Sequence, residues 1–508
     1  MIARRGFFAA LLFATAGCNL APKYTRPSSP PATSYRELVP ANFKGAQGWK
    51  LAQPKDDAIR GKWWEMYGDP LLNQLEEEVD VANQTLAKAV ASNRAAQALV
   101  AQARGGLWPT VSVSPSVSRQ RSSSSAFSSG TGTAVRSSGL ATVYQLPLQA
   151  SWEADLWGRL RNTVSSAANE AQATAADLEN TRLSLHAQVG INYFQLRSQD
   201  AQVKLYAETV AAFQKDLDLV RIRYQGGIAS DLDVAQAETQ LKAAIAAGTD
   251  LGINRALFEH AIAVLVGKPA STFSIAVAPL QANPPAIPVG IPSELLERRP
   301  DIAAAERRVA EANANIGVAR AAFFPTLTLS GQTGFVSTAL SSLLSAPSFI
   351  WSLGTTLSET LFDGGKRQAQ LENTWALYDE FVATYRGTVL FAFQEVEDFL
   401  AELRILSQER QEQDDAVQAA QTALTRAEDR YKFGVDSYLN VITAQTTLLS
   451  NQRIAASIRM AQMTASVSLI RALGGGWDAS KLSSKAEPPP EGRVASASGG
   501  PDADGRAR

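Results

Sequence analysis

Two hydrophobic periods alternate along the chain. Over residues 70–104 the apolar positions Leu75, Val79, Ala82, Leu86 and Ala89 step by four and three, a heptad-like helical seam. The same period runs from about 160 to 224 through Val203, Tyr206, Val210, Phe213, Leu217, Val220 and Tyr224. At 1.5 Å per residue that predicts a rod of about 100 Å, with Gly190 as its weak point. A second such rod is predicted over 366–432, where Val389, Phe393, Val396, Leu400 and Leu403 keep the seam. Between the helices the period falls to two. Val111, Val113 and Val117 alternate with serines and Arg119, and Tyr144, Leu146, Leu148, Ala150 and Trp152 share one face. Leu327, Leu329 and Phe335 follow, then Phe349, Trp351, Leu353, Thr355 and Leu357. These read as strands of about ten residues, the length a membrane strand needs. Two soluble hairpins with one buried face would give the same alternation. The Ser- and Gly-rich stretches 120–139 and 336–348 are expected as hairpin loops.

The pattern occurs twice. RYQGGIASDLDVAQAETQL at 223–241 returns as RYKFGVDSYLNVITAQTTL at 430–448, and the segment 107–114 matches 323–330. Landmarks in fixed order with a drifting offset indicate a tandem duplication of roughly 200 residues. Each unit reads helix, β-hairpin, long helix, turn, helix. Unit one is 70–270, with hairpin 108–155 and turn 224–230; unit two is 293–477, with hairpin 325–362 and turn 431–437. A proline-rich linker at 271–292 joins them, 18–69 precedes them, and the polar tail 478–508 is expected to be disordered. In the duplicated turn, Gly227 and Gly434 supply the backbone freedom to end one helix, and Ser230 and Ser437 are placed to cap the next. The aromatic knot at 62–69 is expected to pack.

Composition narrows the chemistry. A net charge of −1 offers no basic footprint for nucleic acid. Two histidines and one cysteine leave little for a metal site. His186 and His260 lie on helices without nearby ligand partners in sequence and are expected as surface or core residues. No acid, base or nucleophile converges, so neither an enzyme nor a cofactor is expected. Arg4 and Arg5 precede a short apolar run, and Thr15-Ala16-Gly17-Cys18 resembles a bacterial lipoprotein cleavage site. Residues 1–17 are therefore expected as a signal peptide and Cys18 as the lipidated first residue. Asn19 favours sorting to the outer membrane. No run of 18 apolar residues is present, so any crossing must be made by strands. Four strands cannot close a barrel, and open edges in lipid leave backbone groups unsatisfied. Two chains would enclose only side chains; three would leave an aqueous lumen, and hence a conduit.

The chain resembles the TolC-like outer-membrane efflux channels, in the lipoprotein branch serving resistance-nodulation-division (RND) pumps. The resemblance rests on Trp63-Trp64, Gly68-Asp69-Pro70-Leu71, Pro109-Thr110, Asp155-Leu156-Trp157-Gly158-Arg159 and Arg298-Arg299-Pro300-Asp301-Ile302. Ala322-Phe323-Phe324-Pro325, Leu361-Phe362-Asp363-Gly364-Gly365, the segment 393–398 and Ala472-Leu473-Gly474-Gly475-Gly476-Trp477 add to it, as does the duplicated turn. It implies a mixed α and β membrane protein: a homotrimer with a twelve-stranded barrel in outer-membrane lipid, a long periplasmic α-barrel and an equatorial belt. It implies passive solute exit driven by an inner-membrane RND-type pump through a periplasmic adaptor. It also implies a gate at the turns, where tyrosine, aspartate and arginine side chains link neighbouring hairpins. Tyr431 and Asp233 match such positions, with Tyr224 and Asp436 beside them. Asn440 and Thr443 stand where many relatives carry aspartates, which weakens the expected acidic ring. Tyr224 and Tyr431 read equally as helix-packing residues, and Asp231 and Asp436 as first-turn acids. The rival readings are a type I secretion exit duct and a periplasm-spanning coiled-coil lipoprotein.

Overall fold

Helix signals are strongest where caps and seams agree. A computed structural model describes residues 19–28, 35–37, 61–121, 140–280, 283–285, 287 and 298–475. The expected signal peptide, Cys18 and the tail from 478 lie outside the described residues, as do most of the expected first hairpin loop and part of the expected linker. The first expected helix is two: α1 (Pro70–Ala82) and α2 (Gln84–Gly105). Asp69 opens α1 by accepting from the Leu71 and Leu72 amides at 3.0 and 3.3 Å, with Pro70 at its first turn. The break falls at Asn83, which a seam of apolar positions cannot reveal. Its amide N–H closes α1 on Val79, its Oδ1 accepts from the Leu86 amide at 2.9 Å to start α2, and its Nδ2 donates to Leu265 O at 2.7 Å.

The remaining elements are β1 (Thr110–Val113), β2 (Ser116–Arg121), β3 (Leu140–Ala154), α3 (Arg159–Gln225), α4 (Asp231–Leu265) and α5 (Pro300–Ala321). They are followed by β4 (Thr326–Ser337), β5 (Phe349–Ser358), α6 (Lys366–Lys432) and α7 (Tyr438–Ala472). The long helices α3 and α6 are each 67 residues, about 100 Å at 1.5 Å per residue. Among the described residues no helix is long and apolar enough to cross a membrane.

The helices change neighbours along their length. Towards the sheet α3 lies between α2 and α5, with α6 beyond α5; towards the tips it lies between α4 and α7, with α6 beyond α7. The main core sits where these layers meet, built from Trp63, Leu72, Val79, Tyr193, Phe194, Leu196, Ile262, Leu400 and Met463. Each large side chain removed from water there contributes roughly 1.5–3 kcal/mol. The aromatic knot packs as expected: Trp63 and Trp64 meet edge to face at 5.7 Å, and Tyr67 hydrogen-bonds Ser466 Oγ at 2.7 Å. Gly190 is no weak point. A Cβ there would lie 3.4 Å from Val467 and 3.5 Å from Trp63, so the glycine sits where α3 meets α7 and the aromatic knot.

The sheet is antiparallel in the order β1/β2–β3–β4–β5, with β1 and β2 both paired to β3. The expected first strand is interrupted at Ser114-Pro115, as a residue without an amide hydrogen demands. β4 runs on to Ser337, into the stretch expected as loop. Between β4 and β5 the chain makes two 3-10 turns held by hydroxyls, with Ser348 Oγ donating to Ser342 O at 2.8 Å.

Candidate functional site: a two-faced sheet and the hairpin tips

Register sorts the sheet into two chemistries, because directly opposed residues share a face. One face carries the rows Val113–Leu148–Thr333–Trp351, Val111–Ala150–Gly331–Leu353 and Leu146–Phe335–Phe349. The other carries Ser112–Gln149–Gln332–Ser352, Thr110–Ser151–Ser330–Gly354 and Glu153–Thr328–Thr356. Among the described residues nothing covers the apolar face: Trp351 is 69 % and Leu353 80 % exposed. Both outer lanes, β1/β2 and β5, pair on one side only among the described residues. A soluble hairpin would hide such a face against its own core; this one presents it outward over a polar reverse.

At the opposite end, some 70 residues of α3 and α6 away, the duplicated turn is built alike twice. Gly227 and Gly434 both take φ +72, in the left-handed region where glycine is favoured. The Ile228 amide donates to Arg223 O (2.8 Å) and the Gly227 amide to Tyr224 O (2.9 Å). Val435 to Arg430 O (2.9 Å) and Gly434 to Tyr431 O (3.0 Å) repeat the pair, a Schellman closure in each copy.

The returning helices differ. Ser230 caps α4 as expected: its Oγ accepts from the Asp233 amide at 3.2 Å, while Asp233 Oδ2 accepts from the Ser230 amide at 2.9 Å. Ser437 makes no capping bond to α7, contrary to expectation. The third helical position there is Asn440, whose side chain hydrogen-bonds Asp436, and Asp436 also holds Arg430. That guanidinium keeps the exposed Asp436 carboxyl below its ordinary pKa.

Asp233 and Tyr431, both expected at the entrance, share no hydrogen bond within this chain. Asp233 is spent on its own cap, and the buried Tyr431 hydroxyl has no hydrogen-bond partner. Beside Gln240 Nε2, which donates to Thr446 Oγ1 at 2.9 Å, and Gln445, which donates to Asp216, one tie between the hairpins is Arg223, which the duplicated motif disguised as turn machinery. Its Nη1 donates to Tyr431 O at 2.8 Å and its Nη2 to Lys432 O at 2.6 Å, and its guanidinium stacks 4.6 Å from the Tyr431 ring centroid. Tyr431 packs on Tyr438 with centroids 5.2 Å apart, in a tip core with Leu217, Val220 and Leu241. Tyr431 thus takes the packing role. Tyr224 is half-exposed, Asn440 is exposed, and Thr443 is exposed with its hydroxyl donating to Leu439 O at 2.9 Å. Ile228 and Phe433 stand at the very tips, 74 % and 83 % exposed.

His186 is a core residue, as one of its readings had it, but it has carboxylate partners that the sequence did not suggest. It is buried, with Nδ1 2.8 Å from Glu76 Oε2, Nε2 3.5 Å from Asp80 Oδ1, and its ring stacked 4.5 Å from Trp64. Its carboxylate partners Glu76 and Asp80 lie 110 and 106 residues away in sequence, four apart on α1, and no local spacing could have shown them. Burial pushes the imidazole down, but hydrogen bonds and charge from Asp80 and Glu76 outweigh it and raise its pKa to about 9. Burial raises Glu76 to about 7 against the pull of His186. His260 is exposed on α4.

Taken together, a sheet with a lipid-type face and a polar face, continued by helical hairpins about 100 Å long, defines a membrane-exit duct built on strands. The chain belongs to the outer membrane efflux protein family, which matches residues 76–268 and 291–475, one match in each repeat. It is 33% identical over 468 residues to the probable efflux pump outer membrane protein TtgC of Pseudomonas putida, covering 92% of this chain and 94% of that one. It is 34% identical over 425 residues to the pyoverdine export outer membrane protein OpmQ of Pseudomonas putida, covering 82% of this chain and 88% of the other. Among solved structures it is similar to the outer-membrane channel OprN, with TM-score 0.81 and 28% identity over 91% of this chain and all of that one. It is similar also to the open state of the Neisseria gonorrhoeae channel MtrE, with TM-score 0.78 and 27% identity over 91% and 99% of the two chains. The protein is an outer-membrane efflux channel component.

Proposed function

We propose that three copies close a twelve-lane barrel and form the passive exit conduit of a tripartite efflux assembly, fed by an RND-type pump through a periplasmic adaptor. The observation that carries this is the sheet: an exposed apolar face, a polar reverse and two unpaired edges. Unpaired edges in hydrocarbon are untenable, and twelve lanes leave a lumen where eight would fill with side chains. The flanking helices support the same closure. Leu377, Phe391 and Ile405 are exposed at intervals of two heptads on α6, and Ile253, Leu257 and Val264 stand exposed on α4. Relatives 33–34% identical to this chain are named for antibiotic efflux, toluene efflux and pyoverdine export, so small organic solutes are the substrate class proposed here.

The repeat boundaries at 70–270 and 293–477 define the units that each supply one hairpin of strands and one of helices. Lipidation at Cys18 fits the course of the adjoining segment. Leu20 O accepts from Arg320 Nη1 at 3.3 Å, one residue before the end of α5 and close to the base of β4. The gate is proposed at the tips, with Arg223 and Tyr431 holding the two hairpins together and Asp436, Asn440 and Thr443 at the mouth. The test is reconstitution. Detergent-purified protein should run as a trimer and give discrete conductance steps in planar bilayers. A water-soluble monomer without conductance would return the chain to the structural-lipoprotein reading.

A further inference from the structure

Below the sheet, between α3, α5 and the amino-terminal segment, lies a cavity of about 520 Å³. Lys23, Asn162, Ser165, Asn169, Arg307 and Asn313 supply its polar lining, and no carboxylate lines it. Lys23 makes no ion pair among the described residues and is exposed on its segment. Arg307 Nε lies 3.2 Å from Glu306 Oε2 but off the line of a hydrogen bond, and that carboxylate is also engaged by Tyr24 Oη at 2.5 Å. Asn313 Nδ2 donates to Pro22 O at 2.9 Å, which fixes the segment as one wall.

The telling atom is Asn162 Nδ2. Asn162 is only 3% exposed, yet this donor has no acceptor. Buried donors are rarely left unmade, because the lost water is not replaced. The fold makes room for this one: a Cβ at Gly317 would collide with the Asn162 amide and with Ala21. A cavity with Lys23 free of an ion pair among the described residues, an unmet buried donor and no acid in its lining asks for an anionic oxygen acceptor.

Its depth says which kind. At 1.5 Å per residue, Asn162 and Asn313 lie about 5 and 12 Å from the sheet-proximal ends of α3 and α5. The polar layer of a bilayer extends about 5–8 Å beyond the hydrocarbon on each side. The cavity also sits in the middle of the chain's own helix layer, away from the lateral faces of α2 and α6.

We propose that this cavity binds a phosphate group, carried by the headgroup of a phospholipid in the periplasmic leaflet, with Asn162 and Lys23 as its donors. The inference rests on the membrane reading of the sheet. Native mass spectrometry of the detergent-purified full chain tests it with dihexanoyl phosphatidylglycerol, dihexanoylglycerol and inorganic phosphate as probes. The wild type should retain phosphatidylglycerol and not the phosphate-free glyceride. Asn162→Asp, nearly isosteric but anionic, should weaken retention about 10-fold, and Lys23→Gln, on an exposed residue that leaves the fold alone, several-fold. Equal retention by wild type and both variants, or equal binding of the phosphate-free glyceride, overturns the site. Full competition by inorganic phosphate at matched concentration overturns the lipid as its source. A chain that stays soluble without detergent fails the membrane reading itself, whatever adducts it carries.

Discussion

Removing the Arg223 guanidinium should loosen the channel mouth. Its two bonds to the Tyr431 and Lys432 carbonyls measure 2.8 and 2.6 Å and join elements 208 and 209 residues apart. A hydrogen bond with one charged partner contributes about 1.5–3 kcal/mol when sheltered, and stacking of the cation on an exposed ring about 0.5–1 kcal/mol. Arg223 is only half-buried, and water would reach the two carbonyls once it is gone. A net of about 2 kcal/mol is therefore expected, or about 30-fold in the balance between joined and separated hairpins. Single-channel recording of Arg223→Ala in planar bilayers should show raised conductance or open probability. Arg223→Lys should recover less than half of the effect, since an ammonium cannot reproduce the fork that reaches both carbonyls. Intact Arg223→Ala trimers with wild-type conductance would refute the latch.

Tyr431→Phe should leave conductance unchanged, because the hydroxyl has no partner to lose, whereas Tyr431→Ala should open the tip core; a phenylalanine variant that conducts more would restore the hydroxyl to the gate. Ser230→Ala should cost about 1 kcal/mol of local helix stability and Ser437→Ala almost none, read as faster amide exchange in the first turn of α4 but not of α7. Thermal stability should fall by several degrees as pH rises from about 6.5 to about 10. The folded pKa of His186 is about 9, above its ordinary value, so its stabilisation is complete below 6.5 and lost through 9. His186→Gln should flatten that slope, and an unchanged slope would remove the Glu76–His186 pair as its origin.

What could be read along the chain and what could not divide by sequence distance. α6 runs over the predicted 366–432, and α3 exceeds its predicted ends by one residue on either side, because a heptad seam is written locally. The strand faces were legible for the same reason. The break at Asn83 was not, since it depends on an acceptor at Leu265 supplied by the far end of the repeat. Arg223 appeared in both copies of the turn and so read as turn chemistry; only the folded hairpins bring it to Tyr431. Ser437 shows the converse, where a matching cap residue was defeated by the neighbour at Asp436. His186 read as a lone side chain until α1 packed two carboxylates beside it.

The contact at Gly190 makes the long helix α3 a lever. From that contact with Val467 and Trp63 to the end of α3 at Gln225 is 35 residues, about 50 Å of nearly unbroken rod. A tilt of about 5° at such a fulcrum carries the far end through about 4 Å, comparable to the width of a side chain. Shape changes too small to disturb the equatorial core can therefore become steps wide enough to decide what passes at the tips.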